Sequence, residues 1–190
     1  MLRLEDLPGR VFLDTCVVNF ILDHGEEIHE NFDAPDAATD RVRQDIDALR
    51  SIFMVGARAN WQLAISPRTY HEVMATRDNV RRRNLQCWFM EIWRHWTEVA
   101  ETAEDLPSLV EGDDLRISVL GSGRLNVIPD PPDRLLIADA IAYRCDLFCT
   151  RDWSTILRHR ANLNSRELGI DIVTPVEWWS RVRPYAALFV

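Results

Sequence analysis

The chain has 190 residues, enough for one domain whose hydrophobic core needs no disulfides. Its net charge of −8 argues against a broadly basic nucleic-acid-binding protein. All 22 basic residues are arginine, which excludes Schiff-base, P-loop and other chemistry that requires a lysine. No run of about 18 apolar residues occurs, and the N-terminal MLRLEDLPGR lacks the apolar core of a signal peptide. We therefore expect a cytoplasmic protein with no membrane partner.

Short apolar runs predict strands, and the amphipathic segments between them predict helices. The predicted strands cover 10–13, 62–66, 146–150 and 170–174. The predicted helices cover 42–53, a segment that begins at Ser66-Pro67, 84–96 and 134–143, with Asp133 as the N-cap of the last. Strands that alternate with helices predict an α/β fold of three layers, α/β/α, around a mainly parallel sheet of four to five strands.

Three other stretches are less regular. The helix over 84–96 carries an aromatic stripe that is typical of a core or of a partner interface. The segment 100–130 is acidic and rich in Gly and Pro. We expect it to lie outside the core and to contain a short helix. The C-terminal stretch 177–190 is apolar enough to pack onto the body or onto a second subunit.

The four cysteines, Cys16, Cys87, Cys145 and Cys149, lack the spacing of zinc ligands or of a disulfide framework. We expect reduced thiols in the core.

The stretch VFLDTCVV (11–18) places Asp14 between two apolar runs and directly before a hydroxyl residue. A charge inside a core is costly unless it is paired. Two interpretations are open at this point: Asp14 caps the helix that follows the strand, or it is a functional acid at a strand end.

Polar side chains follow three of the predicted strands. Asp14 follows the first strand, Ser66 ends the second, and Thr150 ends the third, two residues before Asp152. In a doubly wound sheet the carboxyl ends of the strands line the working crevice, so these side chains are expected to meet there. Asp133 opens the helix that leads into the third strand and is expected at the same crevice.

Glu72, six residues after Ser66, is either a solvated acid or an acid aimed into the crevice. In the second case Asp14, Glu72, Asp133 and Asp152 converge, and their mutual repulsion calls for cations. Mg²⁺ prefers such oxygen ligands together with substrate phosphates. These acids favour metal-dependent phosphodiester hydrolysis over acyl transfer or redox chemistry.

Three segments resemble the PIN-domain ribonucleases, a family that includes the toxins of VapBC-type toxin–antitoxin modules. VFLDTCVVNFIL is similar to the opening strand of the family with its Asp-Thr, and ISPRTYHEVMAT to the segment with a Ser at a strand end and a Glu on the helix. DRLLIADAIAYRCDLFCTRDW is similar to the segment in which an Asp opens a helix and a strand ends in Thr-x-Asp. Together they cover about a quarter of the chain.

The resemblance implies a single PIN-like domain over 1–190, with additional material near 23–50 and 78–130. It implies an endoribonuclease that hydrolyses phosphodiester bonds of single-stranded RNA with Mg²⁺ or Mn²⁺. The implied catalytic and metal-site residues are Asp14, Glu72, Asp133 and Asp152. Thr15 and Thr150 would orient these acids, and Asn19 would reach the same crevice.

RNA is the implied substrate, and the additional segments would cover an antitoxin groove, form a homodimer face or select a particular RNA. Phosphate contacts need positive charge at the rim, for which Arg68 and Arg151 are the candidates. The run Arg81-Arg82-Arg83 serves the same purpose or forms a solvated helix face. Asp139, six residues after Asp133, is left outside the ligand set, and His71 is interpreted as a surface or packing residue.

Two alternatives belong to other functional classes. A catalytically silent PIN-like adaptor would keep the fold and bind RNA or protein without cleavage. A phosphatase of the haloacid-dehalogenase type would need a second Asp two residues after Asp14 and a lysine, whereas position 16 is Cys and the chain has no lysine.

Overall fold

A four-stranded, all-parallel sheet forms the centre of the protein. The computed structural model describes residues 7–59, 61–75, 80, 83–84, 86–88, 90–91, 94, 109–163 and 165–188. The strands are β1 (Arg10–Leu13), β2 (Gln62–Ala64), β3 (Leu147–Cys149) and β4 (Asp171–Val173), in the spatial order β2-β1-β3-β4. The four predicted strands are confirmed, with ends that differ by at most two residues.

Helices cover both faces of this sheet, so the predicted three-layer α/β/α architecture is confirmed. Among the described residues, the helices with defined bounds are α1 (Thr15–Asp23), α2 (Gly25–His29), α3 (Asp40–Ala59), α4 (Pro67–Met74), α5 (Leu109–Gly121), α6 (Pro131–Ala142), α7 (Ile156–His159), α8 (Ser165–Leu168) and α9 (Pro175–Val182). Two short 3-10 helices follow α7 and α9, at Arg160–Asn162 and Arg183–Leu188.

Alternate strand residues supply two separate cores, because successive side chains of a strand point to opposite faces. Val11 and Leu13 of β1 pack with α1, α3 and α9 on one face. Phe12 packs on the other face with α6, and its ring stacks on that of Phe148, 5.4 Å away. These strand residues are fully buried, so the apolar runs in the sequence are those of a sheet covered on both sides.

Two tryptophans anchor the last helix onto the body of the chain. Trp178 of α9 is fully buried, and its ring centroid lies 5.8 Å from that of Trp61. Val182, one turn later, is also fully buried. The C-terminal segment therefore packs onto its own domain, through α9 against α3.

The polar start of α6 differs from the prediction. Asp130, not Asp133, occupies the N-cap position, so the assignment of Asp133 as N-cap is wrong. The reason is that Pro131 and Pro132 both fit inside the first helical turn, where a missing N–H costs nothing. Asp133 thus lies within the first turn and is free to turn its carboxylate toward the loop after β3.

The other predicted helices have mixed outcomes. The helix over 42–53 is confirmed and is longer, and the helix that begins after Ser66 starts with Pro67 as predicted. The short helix expected within 100–130 is confirmed as α5, while 100–108 lie outside the described residues. Much of the predicted helix over 84–96 also lies outside them, as do Arg81 and Arg82.

The cysteine prediction is correct for two residues only. Cys145 and Cys149 are buried free thiols, whereas Cys87 is exposed and Cys16 is partly exposed beside Asp14. Within the described ranges, no helix combines the length and the apolar character that crossing a bilayer requires.

We predict that Trp178→Ala lowers the free energy of unfolding by about 3–5 kcal/mol, because it leaves a large cavity between α9 and the sheet. Urea unfolding followed by circular dichroism measures this loss. Trp179→Ala is the matched control, since Trp179 is only partly buried on the same helix, and its loss should be clearly smaller. Equal losses for the two variants would contradict the described packing of α9.

Candidate functional site

The central feature of the site is a buried carboxylate where two neighbouring strands end. The chain runs from β1 outward to β2 and then crosses back to β3 on the other side, so β1 and β3 flank the switch point of the sheet. Ligands of open α/β sheets bind outside the carboxyl ends of the strands at such a point. Asp14 follows β1 there, and its backbone N–H donates to the carbonyl of Cys149, the last residue of β3.

Two side chains hold the Asp14 carboxylate. The Thr150 hydroxyl donates to Asp14 Oδ2 at 2.5 Å, and the Cys16 thiol donates to the same oxygen at 2.9 Å. Asp14 occupies the N-cap position of α1 but makes no side-chain capping hydrogen bond. The helix-cap interpretation therefore does not explain why a carboxylate is buried at this position.

Burial raises the pKa of Asp14, the hydrogen bonds from Cys16 and Thr150 oppose this rise, and the negative charge of Glu72 adds to it. The side chain is only 5% exposed, so its charge is costly without a partner.

Helix α4 approaches α1 through a contact between Thr15 and Glu72. The buried Thr15 hydroxyl donates to Glu72 Oε2 at 2.5 Å, although the glutamate itself is exposed. Ser66 begins α4 by accepting from the backbone N–H of Arg68 at 3.1 Å and of Thr69 at 3.3 Å. This cap sets the start of α4, and six residues later the helix presents Glu72 to α1.

Asn19 lies one turn after Thr15, on the same side of α1. Its side-chain oxygen Oδ1 is buried and has no hydrogen-bond partner within the described part of the chain. An uncommitted oxygen of this kind is a potential ligand for a cation.

A single hydroxyl joins the other two acids. Thr155 Oγ1 lies 2.7 Å from Asp133 Oδ2 and is in close contact with Asp152 Oδ2. Asp152 Oδ1 accepts from the backbone N–H groups of Ser154, at 2.8 Å, and of Thr155, at 3.0 Å. Because one hydroxyl has one proton, it can donate to only one of the two carboxylates.

The environments of Asp133 and Asp152 separate their pKa values. Burial raises the pKa of Asp133 to about 6, the Thr155 hydrogen bond opposes this, and Asp130, Asp14 and Asp152 add repulsion. Burial also raises the pKa of Asp152, but hydrogen bonds from Ser154 and Thr155 outweigh it and leave the value below the ordinary one. Asp133 is thus the member of the pair that holds a proton more readily, and Asp152 stays ionised.

The four predicted acids therefore belong to one electrostatic cluster, in which Asp14 interacts with Glu72 and with Asp133, and Asp133 with Asp152. Their oxygens suit Mg²⁺ or Mn²⁺ in chemical type, as does the uncommitted Asn19 Oδ1. In the described ranges, however, no three His, Cys, Asp or Glu side chains are arranged as a ready metal-binding group. Threonine hydroxyls occupy carboxylate oxygens of all four acids.

The two arginines predicted for substrate contact are both paired with acids. Arg151 Nε lies 2.8 Å from the buried Asp45 of α3, and its guanidinium lies over the Phe20 ring. Arg68, 44% exposed, lies 3.6 Å from Asp139 Oδ2. Arg68 thus remains accessible at the rim, whereas Arg151 mainly fixes the loop after β3 against α3. Arg83 and His71 are exposed.

Asp139, which was left out of the ligand set, lies apart from the cluster in a buried ion pair. Its side chain is 3% exposed and its Oδ1 lies 2.5 Å from Arg116 Nε of helix α5. Burial raises its pKa, and the charges of Arg116 and Arg68 oppose the rise. This pair joins α5 and α6 and explains the otherwise unexpected buried acid.

Sequence reasoning missed three contributors to the site: Cys16, Thr155 and the Asp45–Arg151 pair. Thr155 had a readable signal, since an Asp followed two and three residues later by Ser and Thr is typical of a local side-chain-to-backbone turn. Asp45 had none, because its contact with Arg151 joins elements distant in sequence, and for Cys16 the Asp-x-Cys spacing alone does not show that the thiol donates to Asp14. No family model, curated protein or solved structure matches the chain.

We predict that Asp133→Asn stabilises the protein above about pH 6 and has little effect near pH 4. Because the folded-state pKa of about 6 lies above the ordinary 3.8, ionised Asp133 opposes folding, and its cost appears as the pH rises through this window. Thermal unfolding in EDTA between pH 4 and 8 tests this expectation. Asp47→Asn is the control, since Asp47 is an exposed residue paired with Arg50. A difference in melting temperature between Asp133→Asn and the wild type that is the same at every pH would contradict the prediction.

We also predict that Thr155→Val moves the titration of the Asp133–Asp152 pair to higher pH, because the one proton of the hydroxyl stabilises one ionised carboxylate of the pair at a time. Carboxyl ¹³C NMR of the two residues measures the shift. Thr155→Ser keeps the hydroxyl and should titrate like the wild type. If the valine variant also titrates unchanged, Thr155 does not bridge the two acids in solution.

Proposed function

We propose that the protein is a PIN-like endoribonuclease that hydrolyses phosphodiester bonds of single-stranded RNA with the help of Mg²⁺ or Mn²⁺. The observation that carries this proposal is the buried carboxylate of Asp14 at the switch point of a parallel sheet, held by Thr150 and Cys16. Glu72 accepts from the residue that follows Asp14, and Thr155 contacts both Asp133 and Asp152. An excess of negative charge in a crevice is a cost to folding that a cation-dependent function would explain.

Asp14, Glu72, Asp133 and Asp152 are the residues that we propose hold the cation. A bound Mg²⁺ or Mn²⁺ would supply a nucleophilic water at neutral pH and would stabilise the leaving oxygen of the phosphodiester. The hydroxyls of Thr15, Thr150 and Thr155 orient the carboxylates. Asp152, which stays ionised, is available as a ligand at lower pH than Asp133.

RNA is a plausible substrate class for this negatively charged chain only if positive charge reaches the phosphates locally. The accessible guanidinium of Arg68, at the start of the helix that carries Glu72, provides such a charge. Cations in the crevice would provide the remaining positive charge. The absence of lysine fits this arrangement, because the chemistry proposed needs carboxylates and metal and no amine.

One observation favours the catalytically silent adaptor as a second candidate. Among the described side chains no three His, Cys, Asp or Glu residues form a ready metal group, and threonine hydroxyls contact one oxygen of each acid. An adaptor would use the same crevice to bind RNA or protein and would leave the backbone of the RNA intact. Cleavage is therefore the property that separates the two candidates.

The narrower form of the main proposal is a cytoplasmic toxin that an antitoxin protein silences. It rests on the resemblance of the three motif segments to VapBC-type toxins. A second copy of the chain is the other proposed partner.

We predict that purified protein cleaves a mixed single-stranded RNA pool with Mg²⁺ or Mn²⁺ and stops in EDTA, because the acids need a cation to work on a phosphodiester. Asp14→Asn and Asp133→Asn should abolish the cleavage. Asp47→Asn, which changes the same charge on the exposed side of α3, should leave it unchanged. Gel electrophoresis of end-labelled RNA measures the cleavage by the wild type and by the three variants.

The controls separate the outcomes. Cleavage that survives both crevice substitutions would indicate a contaminating nuclease or a different active site. A folded protein that cleaves no RNA with either metal would support the adaptor. Thermal unfolding with and without Mn²⁺ adds a second measure, since a cation that binds the folded state raises its melting temperature.

A further inference from the structure

We infer that Trp153 and Arg41 form a base-stacking rim at the crevice, which binds an unpaired base of the RNA next to the acids. This inference rests on the proposed function and deepens it by naming the contacts that select a single strand. Trp153 directly follows Asp152 and is 45% exposed, an unusual exposure for an indole. The guanidinium of Arg41 lies 4.3 Å from the centroid of its ring.

Two contacts between the same two elements determine the position of this rim. The loop after β3 meets the first turns of α3 twice, through Arg151 with Asp45 and through Trp153 with Arg41. Arg41 and Asp45 are four residues apart and therefore lie on the same side of α3. The buried ion pair of Arg151 and Asp45 holds the loop to the helix. It thereby fixes the position of the exposed pair of Trp153 and Arg41 beside the acid cluster.

The chemistry of the pair suits a nucleotide. An indole offers an apolar face on which any base can stack, which is how sequence-tolerant single-strand binding works. The guanidinium of Arg41, which lies over one face of the ring, can contact a phosphate, and arginine stacks on rings and bases as well. Together they recognise one unpaired nucleotide, whereas a paired base is inaccessible to such a stack.

The negative charge of the crevice also supports a binding site outside the acids. Phosphates approaching Asp14, Asp133 and Asp152 meet repulsion, so a substrate needs binding energy from outside the acids. Arg151 is occupied by Asp45, whereas Arg41, on the same side of α3, is exposed. A base held on Trp153, one residue from Asp152, keeps its own phosphate within reach of the cluster.

The test measures RNA binding separately from cleavage. The probe is a fluorescein-labelled oligouridine of about 12 nucleotides, within the size range of single-strand sites. A second probe has the same sugar-phosphate backbone without bases. Fluorescence anisotropy gives the affinity in the Asp14→Asn background with Ca²⁺, a hard cation of the same charge as Mg²⁺, so that RNA stays intact.

We expect Trp153→Leu to weaken oligouridine binding about tenfold and Trp153→Phe to keep most of the affinity, because phenylalanine retains a stacking face. Arg41→Gln should weaken binding and flatten its salt dependence. Arg144→Gln is the matched control, an exposed arginine between α6 and β3, at the opposite edge of the sheet. On the probe without bases, wild type and Trp153→Leu should bind equally.

Three results would overturn the inference: equal oligouridine binding by the leucine and phenylalanine variants, an equal loss on the probe without bases, or no binding of oligouridine at all. The exposed ring would then serve another occupant, such as a protein. If the stacking differences appear but no RNA is ever cleaved, the rim stands and the nuclease proposal fails. If RNA is cleaved and Trp153→Leu binds and cleaves like the wild type, the nuclease stands and the rim fails.

Discussion

The burial of Asp14 between the ends of β1 and β3 is the constraint around which the site is built. A carboxylate that is 5% exposed can persist only with donors at fixed positions, and Thr150 and Cys16 supply them. The register that pairs Leu13 with Cys149 places Asp14 beside Thr150, so the strand pairing and the hydrogen bond depend on each other. A shift of one residue in either strand would turn its core side chains to the wrong face and separate the two groups.

Hydroxyl groups recur as the partners of the acids, and this choice has an electrostatic consequence. Thr15, Thr150 and Thr155 orient carboxylates by donating one hydrogen bond each, but they bring no positive charge. The repulsion within the cluster is therefore left in place, and it adds to the effect of burial in raising the pKa of Asp133. Arginines at these positions would have neutralised the acids and closed the crevice to cations.

The arginines of the chain instead fix the surroundings of the site. Arg151 holds the loop after β3 to α3, and Arg116 holds α5 to α6 through Asp139. Buried pairs of this kind cost desolvation and give little net stability, but they specify one arrangement of neighbouring elements. The rim formed by Arg41 and Trp153 has a defined place for this reason. The same helix, α3, also supports the sheet through its packing against α9.

Local patterns in the sequence determined the elements of this protein. Apolar runs specified the strands, and the Ser66-Pro67 pair specified the start of α4, because strand burial and helix capping depend on residues close together in the chain. The topology rule also assigned Asp14 and Asp152 to a crevice, because they follow strand ends, whereas the choice of Glu72 depended on the family resemblance. Only the tertiary structure decided what these acids contact. The contacts of Thr155 with Asp133 and of Arg151 with Asp45 join distant segments and are set by packing and strand register, although the local turn after Asp152 was readable. The same holds for Trp153, whose exposure beside Arg41 no spacing in the sequence could predict.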